Sequence, residues 1–266
     1  MRPLALLVVS LLTALGLSAA DPTPAPPPPP VQHPALFLVG DSTVRTGQGN
    51  GDVGQWGWGS EIGAFLDPAV IHLYNEARGG RSSRSFIAEG HWEKIRAQLQ
   101  PGDFVIVQFG HNDNSNSANS PDRATISGAG DETLVVGIGP AQKTIRTYGA
   151  YLRQYIRDIQ AAGATAIVCS PVPRNQWDHG KILRGFDGYA AWAAATARAD
   201  GALFLDLNTL AADRYDALGE TSARTLFVDH QHTNKAGARL HAACVAAGLA
   251  QLPGHPLAKA LRSPSP

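Results

Sequence analysis

The stretch Leu36-Phe-Leu-Val-Gly-Asp-Ser42 decides how the rest of the chain is read. Its four apolar residues make a short buried run, and Gly40-Asp41 ends that run on a polar turn that carries a hydroxyl. The same kind of run returns at Ile71-His-Leu-Tyr74, Phe104-Val-Ile-Val-Gln-Phe109, Ala166-Ile-Val-Cys169 and Leu203-Phe-Leu-Asp206, so five buried strands are predicted. Between them Trp58 to Leu66, Phe86 to Leu99, Tyr148 to Ala162 and Tyr189 to Ala199 read as amphipathic helices, and Asn234 to Gln251 as a closing helix. Alternation of this kind calls for an α/β fold, a parallel sheet covered by helices on both faces. Ligand sites in such sheets form outside the carboxyl ends of the strands, so chemistry is sought in the residues that follow each strand. One segment departs from the alternation. Asn114 to Ile145 is rich in Ser, Asn, Gly and Asp and lacks helical periodicity, and a loop this long inside a domain is usually functional or mobile. Its place after the third strand makes it a wall of the substrate cleft.

Outside this core the chain divides simply. Residues 1–20 have a positive start at Arg2, an apolar run from Leu4 to Leu17 and a Ser18-Ala19-Ala20 cleavage site. That is the build of a secretory signal peptide, and its apolar part is short for a membrane anchor. Residues 21–34 are proline-rich, an extended linker. The folded domain is expected over 35–255 and a C-terminal tail over 256–266. No later segment has the length and apolarity to cross a bilayer, so the mature protein is expected to be secreted or periplasmic, free of the membrane, and a monomer. Lys+Arg and Asp+Glu both number 22, so overall charge gives no reason to expect nucleic acid as a partner. The two cysteines, Cys169 and Cys244, stand in an apolar strand-like run and an Ala-rich helix-like run. Two small buried side chains are favoured over a disulfide. The histidines form no His-Glu-x-x-His pattern and no cluster with cysteine, so neither a metal nor a cofactor is expected.

Four polar blocks follow the strands or precede the last helix: Gly40-Asp-Ser-Thr43, Asn75-Glu-Ala-Arg-Gly-Gly80-Arg-Ser82, Phe109-Gly-His-Asn-Asp113 and Val228-Asp-His-Gln-His-Thr-Asn234. Each alone is an ordinary turn. Together they meet the needs of acyl transfer. A serine hydroxyl becomes a nucleophile when a histidine takes its proton, and the histidine needs a carboxylate to hold its tautomer. Asp229 and His232, three residues apart, are placed to share one face of a turn. A main-chain N–H at Gly80 and the side-chain amide of Asn112 are suited to hold an oxyanion.

This set resembles the GDSL, or SGNH, hydrolase superfamily, whose Ser, Gly, Asn and His stand in four ordered blocks. Within it, the strings Gly40-Asp-Ser-Thr-Val44, Gly79-Gly-Arg-Ser-Ser-Arg-Ser-Phe86, Gln108-Phe-Gly-His-Asn-Asp113 and Asp229-His-Gln-His-Thr233 are similar to the rhamnogalacturonan acetylesterase branch. So is the insertion running from Arg123 through Gly130-Asp-Glu-Thr133 to Thr147-Tyr-Gly149. The resemblance implies a flavodoxin-like three-layer α/β/α sandwich with a five-stranded parallel sheet. It makes Ser42 the nucleophile, His232 the general base and acid, and Asp229 the orienting carboxylate. The oxyanion hole would be the N–H groups of Ser42 and Gly80 with the Asn112 amide. No Gly-x-Ser-x-Gly elbow surrounds a candidate serine, which separates the chain from α/β-hydrolases. The implied activity is release of acetyl groups from plant cell-wall polysaccharide, rhamnogalacturonan or pectin first. Acetyl-xylan, a lipid ester, acyl transfer to a sugar, or carbohydrate binding without catalysis are the competing readings.

Each residue also has a plainer reading. Ser42 would cap the following segment through its hydroxyl. His230 competes with His232 as the base. His111 would bridge backbone groups, and Asp41 and Asp113 would hold loop amides. Arg81 and Arg84 would meet uronate carboxylates or simply brace loops, and Trp56, Trp58 and Trp177 would stack on sugar rings or fill the core.

Overall fold

The computed structural model of the protein describes residues 34–45, 51–114, 122–137 and 142–263. The leader at 1–20 and all but the last residue of the 21–34 linker lie outside them.

Among the described residues the chain begins with β1 (Ala35–Gly40) and β2 (His72–Asn75), joined through two short 3₁₀ turns at Trp58–Ser60 and Ile62–Phe65. Then come α1 (Ser83–Ala88), α2 (His91–Arg96) and β3 (Phe104–Gln108). A hairpin of β4 (Thr133–Val136) and β5 (Lys143–Arg146) precedes α3 (Tyr148–Ala161) and β6 (Thr165–Cys169). A second, two-residue hairpin of β7 (Trp177–Asp178) and β8 (Lys181–Ile182) leads to α4 (Tyr189–Ala199) and β9 (Leu203–Leu205). The chain closes with α5 (Leu207–Leu218), α6 (Glu220–Arg224) and α7 (Lys235–Ala250).

The central sheet is five-stranded in the order β2-β1-β3-β6-β9, and each adjacent pair runs parallel. This is the flavodoxin-like order, whose topological switch point lies between β1 and β3. The pleat sorts the side chains of β1, all of whose residues are buried. Leu36 and Leu38 face Trp58, Ile62, Tyr215 and Val245 on one side, with Ile106 and Ile167 beside them. Phe37 and Val39 face Phe86, Leu152, Tyr155 and Ala193 on the other, with Val105 and Val168 beside them. Helices α5 and α7 thus cover one face and α1 to α4 the other, giving the three-layer sandwich expected from the sequence. A fully buried Leu or Phe stabilises by about 1.5–3 kcal/mol, so two continuous apolar layers dominate the folding energetics.

Caps set the helix starts. Thr147, Asp206 and Asn234 each accept a backbone N–H three residues on, opening α3, α5 and α7. In α3 the buried positions 148, 152, 155, 156 and 159 make the stripe that packs on the sheet.

The structure departs from the sequence reading in several places. The helix expected over Phe86 to Leu99 breaks at Gly90, which takes φ 75° and begins α2. The helix expected over Trp58 to Leu66 is two 3₁₀ turns. The Asn114 to Ile145 segment contains the β4–β5 antiparallel hairpin. Residues 257–262, part of the expected tail, pack on the domain: Leu257 and Ala260 are buried, the Asp67 N–H donates to the Ala260 carbonyl and the Arg262 N–H to the Phe65 carbonyl. Apolar side chains at 257, 260 and 261 explain the docking. Cys169 and Cys244 are buried and unbridged, as favoured from the sequence. No described helix is long and apolar enough to cross a membrane.

Candidate active site

Ser42 follows β1 and Asn112 follows β3, so both stand at the carboxyl edge of the sheet where the strand order reverses. The Asp41-Ser42-Thr43 turn is closed by the N–H groups of Val44 and Arg45, which donate to the Asp41 carbonyl at 3.2 and 3.1 Å. The Asp41 carboxylate accepts both the N–H and the hydroxyl of Thr43, each at 2.8 Å. Thr43 Oγ1 accepts in turn from Gln108 Nε2 at 2.8 Å, and Gln108 Oε1 accepts from Trp58 Nε1 at 2.9 Å. A buried polar chain whose members are mutually satisfied fixes the turn that holds Ser42.

His111 packs behind this turn. Its Nε2 donates to the Val172 carbonyl at 3.1 Å, and its Nδ1 faces Asp41 Oδ2 at 3.3 Å without an aligned hydrogen bond. Burial would raise the Asp41 pKa, but His111 and the Thr43 donors together hold it below the ordinary carboxylate value. His111, Asp41 and Asp113 are therefore framework residues. Asp113 accepts from the Ser83 N–H at 3.1 Å and from the Ser83 hydroxyl at 2.5 Å, which fastens α1 to the end of β3.

Burial pushes the Asp113 carboxyl up to about 7, against the pull of the Ser83 donors. Because the folded value lies above the 3.8 of an unperturbed aspartate, the native state keeps this proton over a window where the unfolded chain has lost it. Stability from this group is full below 3.8 and is lost as pH rises through about 7. The stability of wild type relative to Asp113→Asn is therefore expected to fall by up to about 4 kcal/mol between about pH 4 and about pH 8, measured by urea unfolding. A difference that stays constant with pH would show that Asp113 does not titrate there.

The last block lies in an irregular loop ahead of α7, not on a helical turn. What brings Asp229 and His232 together is the carboxylate itself. Asp229 Oδ1 accepts the N–H groups of Gln231 and His232 at 2.7 and 2.6 Å, closing the turn. Its Oδ2 accepts from His232 Nδ1 at 2.8 Å, with Gln55 Nε2 at 3.4 Å. With Nδ1 protonated, Nε2 is the acceptor, and Ser42 Oγ donates to it at 2.8 Å. Burial would raise the Asp229 pKa, but the His232 and Gln231 donors outweigh it and the carboxyl stays below its usual value. Thr233 anchors the loop to Trp56, whose N–H donates to the Thr233 carbonyl at 2.8 Å and whose carbonyl accepts from Thr233 Oγ1 at 2.9 Å. His230 is exposed and meets neither Ser42 nor Asp229.

Ser42, His232, Gly80 and Asn112 line one open cleft of about 730 Å³. Gly80 sits at φ 74°, a conformation that strains any residue with a side chain. Among the described residues no acceptor meets the N–H of Ser42 or of Gly80. Asn112 Nδ2 donates to the Arg81 carbonyl at 3.1 Å. The cleft gathers four arginines, Arg45, Arg78, Arg81 and Arg123, although the chain carries no net charge. Arg78 and Arg81 reach Glu76 and Glu89, at 3.5 and 2.8 Å, while no described residue pairs with the Arg45 guanidinium. The sequence singled out Arg81 and Arg84. Arg84 is buried and donates to the Ala124 carbonyl at 3.0 Å, so it braces a loop. Nothing in the sequence spacing of Arg45 and Arg78 says that they converge here. Trp58 is sealed in the core, and neither Trp56 nor Trp177 lines this cleft. The expected wall is present in part: Arg123, from the segment after β3, lines the cleft.

Known proteins resemble the chain along most of its length. The family model described as GDSL-like lipase/acylhydrolase matches residues 38–240. A rhamnogalacturonan acetylesterase from Emericella nidulans is 33% identical over 206 residues, 76% of this chain and 79% of that one. The probable rhamnogalacturonan acetylesterase YesY from Bacillus subtilis is 34% identical over 233 residues, 85% of this chain and 96% of that one. Among solved structures, that of YxiM from Bacillus subtilis superposes with a TM-score of 0.67 at 26% identity, covering 83% of this chain and 57% of that longer one. The acetylxylan esterase Axe2 of Geobacillus stearothermophilus superposes with a TM-score of 0.57 at 19% identity, over 79% of this chain and 91% of that one, a likeness of fold.

Proposed function

Because this chain belongs to the GDSL-like lipase/acylhydrolase family and is a carboxylic ester hydrolase, we propose that Ser42 removes acetyl groups from an acidic plant cell-wall polysaccharide, rhamnogalacturonan before any other. The observation that carries the reaction is the unbroken line from Asp229 through His232 to Ser42, each link 2.8 Å, opening on the cleft. Ser42 Oγ attacks the acetyl carbonyl as its proton passes to His232 Nε2. The oxyanion is held by the Ser42 and Gly80 N–H groups and the Asn112 amide. His232 then protonates the departing sugar hydroxyl as the ester C–O bond breaks, leaving an acetyl-enzyme. Water attacks that ester, His232 takes the water proton, and acetate leaves as the proton returns to Ser42. Asp229 keeps the imidazole in the acceptor tautomer and stabilises its charged form.

Two features support the substrate. The Emericella nidulans acetylesterase and YesY are each about a third identical to this chain over alignments that cover most of it. The cleft also gathers cations, which suit the carboxylates of a uronate-bearing polymer and have no counterpart in neutral xylan. We read residues 1–20 as a leader that directs the enzyme out of the cell, to act there as a monomer on the polymer.

The test is acetate release from acetylated rhamnogalacturonan and from acetylxylan. A charge-assisted contact contributes about 1.5–3 kcal/mol, so kcat/KM is expected to favour the acidic polymer by about 10-fold or more. That preference narrows as salt is added. Equal rates on both polymers would remove the acidic-substrate reading, and equal use of p-nitrophenyl acetate and a long-chain ester would remove the carbohydrate reading.

A further inference from the structure

The segment 122–128 enters the cleft from the insertion after β3 and is tied down on every side. The Thr125 N–H and hydroxyl both donate to the Asp113 carbonyl, at 3.0 and 2.8 Å. The Ile126 N–H donates to the Arg146 carbonyl at 2.9 Å, and the buried Arg84 donates to the Ala124 carbonyl at 3.0 Å. Arg123 therefore extends its guanidinium from a fixed base. One nitrogen, Nη1, lies 3.1 Å from the Gly80 carbonyl and 3.0 Å from Asn112 Oδ1. Asn112 Nδ2 reaches on to the Arg81 carbonyl at 3.1 Å, which closes a ring of the Gly80–Arg81 backbone, the Asn112 amide and the Arg123 guanidinium.

The chemistry of this ring is directional. An asparagine amide can sit either way round, and its environment decides. A cation on Oδ1 fixes the oxygen toward Arg123 and turns Nδ2, with its two protons, toward the Arg81 carbonyl and the cleft. It also draws electron density from the amide, which makes the remaining N–H a stronger donor. The same Nη1 holds the Gly80 carbonyl, on a residue whose φ of 74° relates that carbonyl to its own N–H, so the Gly80 N–H is braced through it.

We infer that Arg123 is the positioning residue of the oxyanion hole, holding Gly80 and Asn112 through a single nitrogen as paired donors for the tetrahedral intermediate. The inference rests on the reading of Ser42 as nucleophile with Gly80 and Asn112 as donors. It separates Arg123 from the other cleft arginines, whose part is to meet the substrate.

The test uses p-nitrophenyl acetate, which has no carboxylate for an arginine to bind. In Arg123→Ala, kcat is expected to fall about 10- to 100-fold with KM changed less than about threefold, a part of the loss that follows deletion of an oxyanion donor. Added guanidinium ion restores part of the rate, and Arg123→Lys retains more than Arg123→Ala. In an Asn112→Ala background, the effect of Arg123→Ala shrinks to the part exerted through Gly80, well below its effect in the wild type, because the Asn112 donor is already lost. Labelling of Ser42 by an organophosphonate, with thermal melting, reports that the fold and the serine–histidine pair are intact. Should Arg123→Ala not fold, Arg123→Lys and Arg123→Gln carry the same cycle. Additive effects of Arg123 and Asn112, or a change confined to KM, would overturn the role of Arg123 while leaving Ser42 as nucleophile. A folded wild type that neither hydrolyses the ester nor takes the label would overturn the Ser42 reading, and this inference with it.

Discussion

Ser42→Ala is expected to lower acetate release by about 10⁴-fold or more while the protein keeps its fold. The Ser42 hydroxyl oxygen is the atom that forms the acyl bond in the proposed reaction, and no neighbour substitutes for it. His232 Nε2, which accepts from it at 2.8 Å, then faces a methyl group and an ordinary water. Water activated by His232 is a weaker route, since the proposed oxyanion donors share the cleft with the serine oxygen and serve its attack. The structural cost is small by comparison. One hydrogen bond between a serine 8% exposed and a partly exposed imidazole contributes about 1 kcal/mol. The measurement is acetate release at saturating substrate, with melting temperature and organophosphonate labelling on the same samples. Release near the wild-type rate from a folded Ser42→Ala protein would remove the mechanism.

Asp229→Asn is the second large effect, with kcat expected to fall about 10³- to 10⁴-fold. The amide oxygen can still accept the N–H groups of Gln231 and His232, so the turn persists. The amide nitrogen then faces His232 Nδ1, to which it donates. That contact holds the imidazole with its proton on Nε2, where it cannot accept from Ser42. The loss therefore falls on the chemical step. Stability follows a different course. The Asp229 carboxyl is held below its ordinary value in the folded state, by the His232 and Gln231 donors against the effect of burial. Its contribution is present above the unperturbed value of 3.8 and is lost as pH falls through the lower folded value. The stability gap between wild type and Asp229→Asn is thus expected to narrow in acid, while the kinetic gap at neutral pH stays large. An Asp229→Asn enzyme within about tenfold of wild type would mean that another group orients the imidazole.

The strands and the covered sheet were legible because a buried parallel strand has little choice of composition. Leu36 to Val39 and Phe104 to Val107 face helices on both sides, so both phases of the pleat are apolar and the run stands out. Helix α5 is faint in the sequence. Of its buried positions, Ala211 and Ala212 are small and Asn208 is polar, which leaves Leu207 and Tyr215 as the large apolar marks, and the signal that finds it is the Asp206 cap ahead of that spacing. The β4–β5 hairpin was read as loop because Leu134 and Val135 are exposed and no apolar alternation marks the pairing. In the site, the blocks holding Ser42, Gly80, Asn112, Asp229 and His232 were legible as polar turns at strand ends. Arg45, Arg78 and Arg123 were not, because each reaches the cleft from a different segment and only the folded chain brings them together. The pairing of Asp229 with His232 was expected for a helical reason and arises from a turn closed by the carboxylate itself.

The proposed nucleophile and its proposed base are separated by 190 residues, and the loop that seats His232 is held by Trp56 near one end of the chain and by the cap of α7 near the other. A ribosome releases Ser42 long before His232 exists. On that reading the nascent chain is expected to be inert as an esterase, as is any folding intermediate in which the His232 loop has not yet met Ser42. The first turnover dates the completion of the whole fold, so a stopped-flow assay with a chromogenic acetate ester doubles as a clock for its last step.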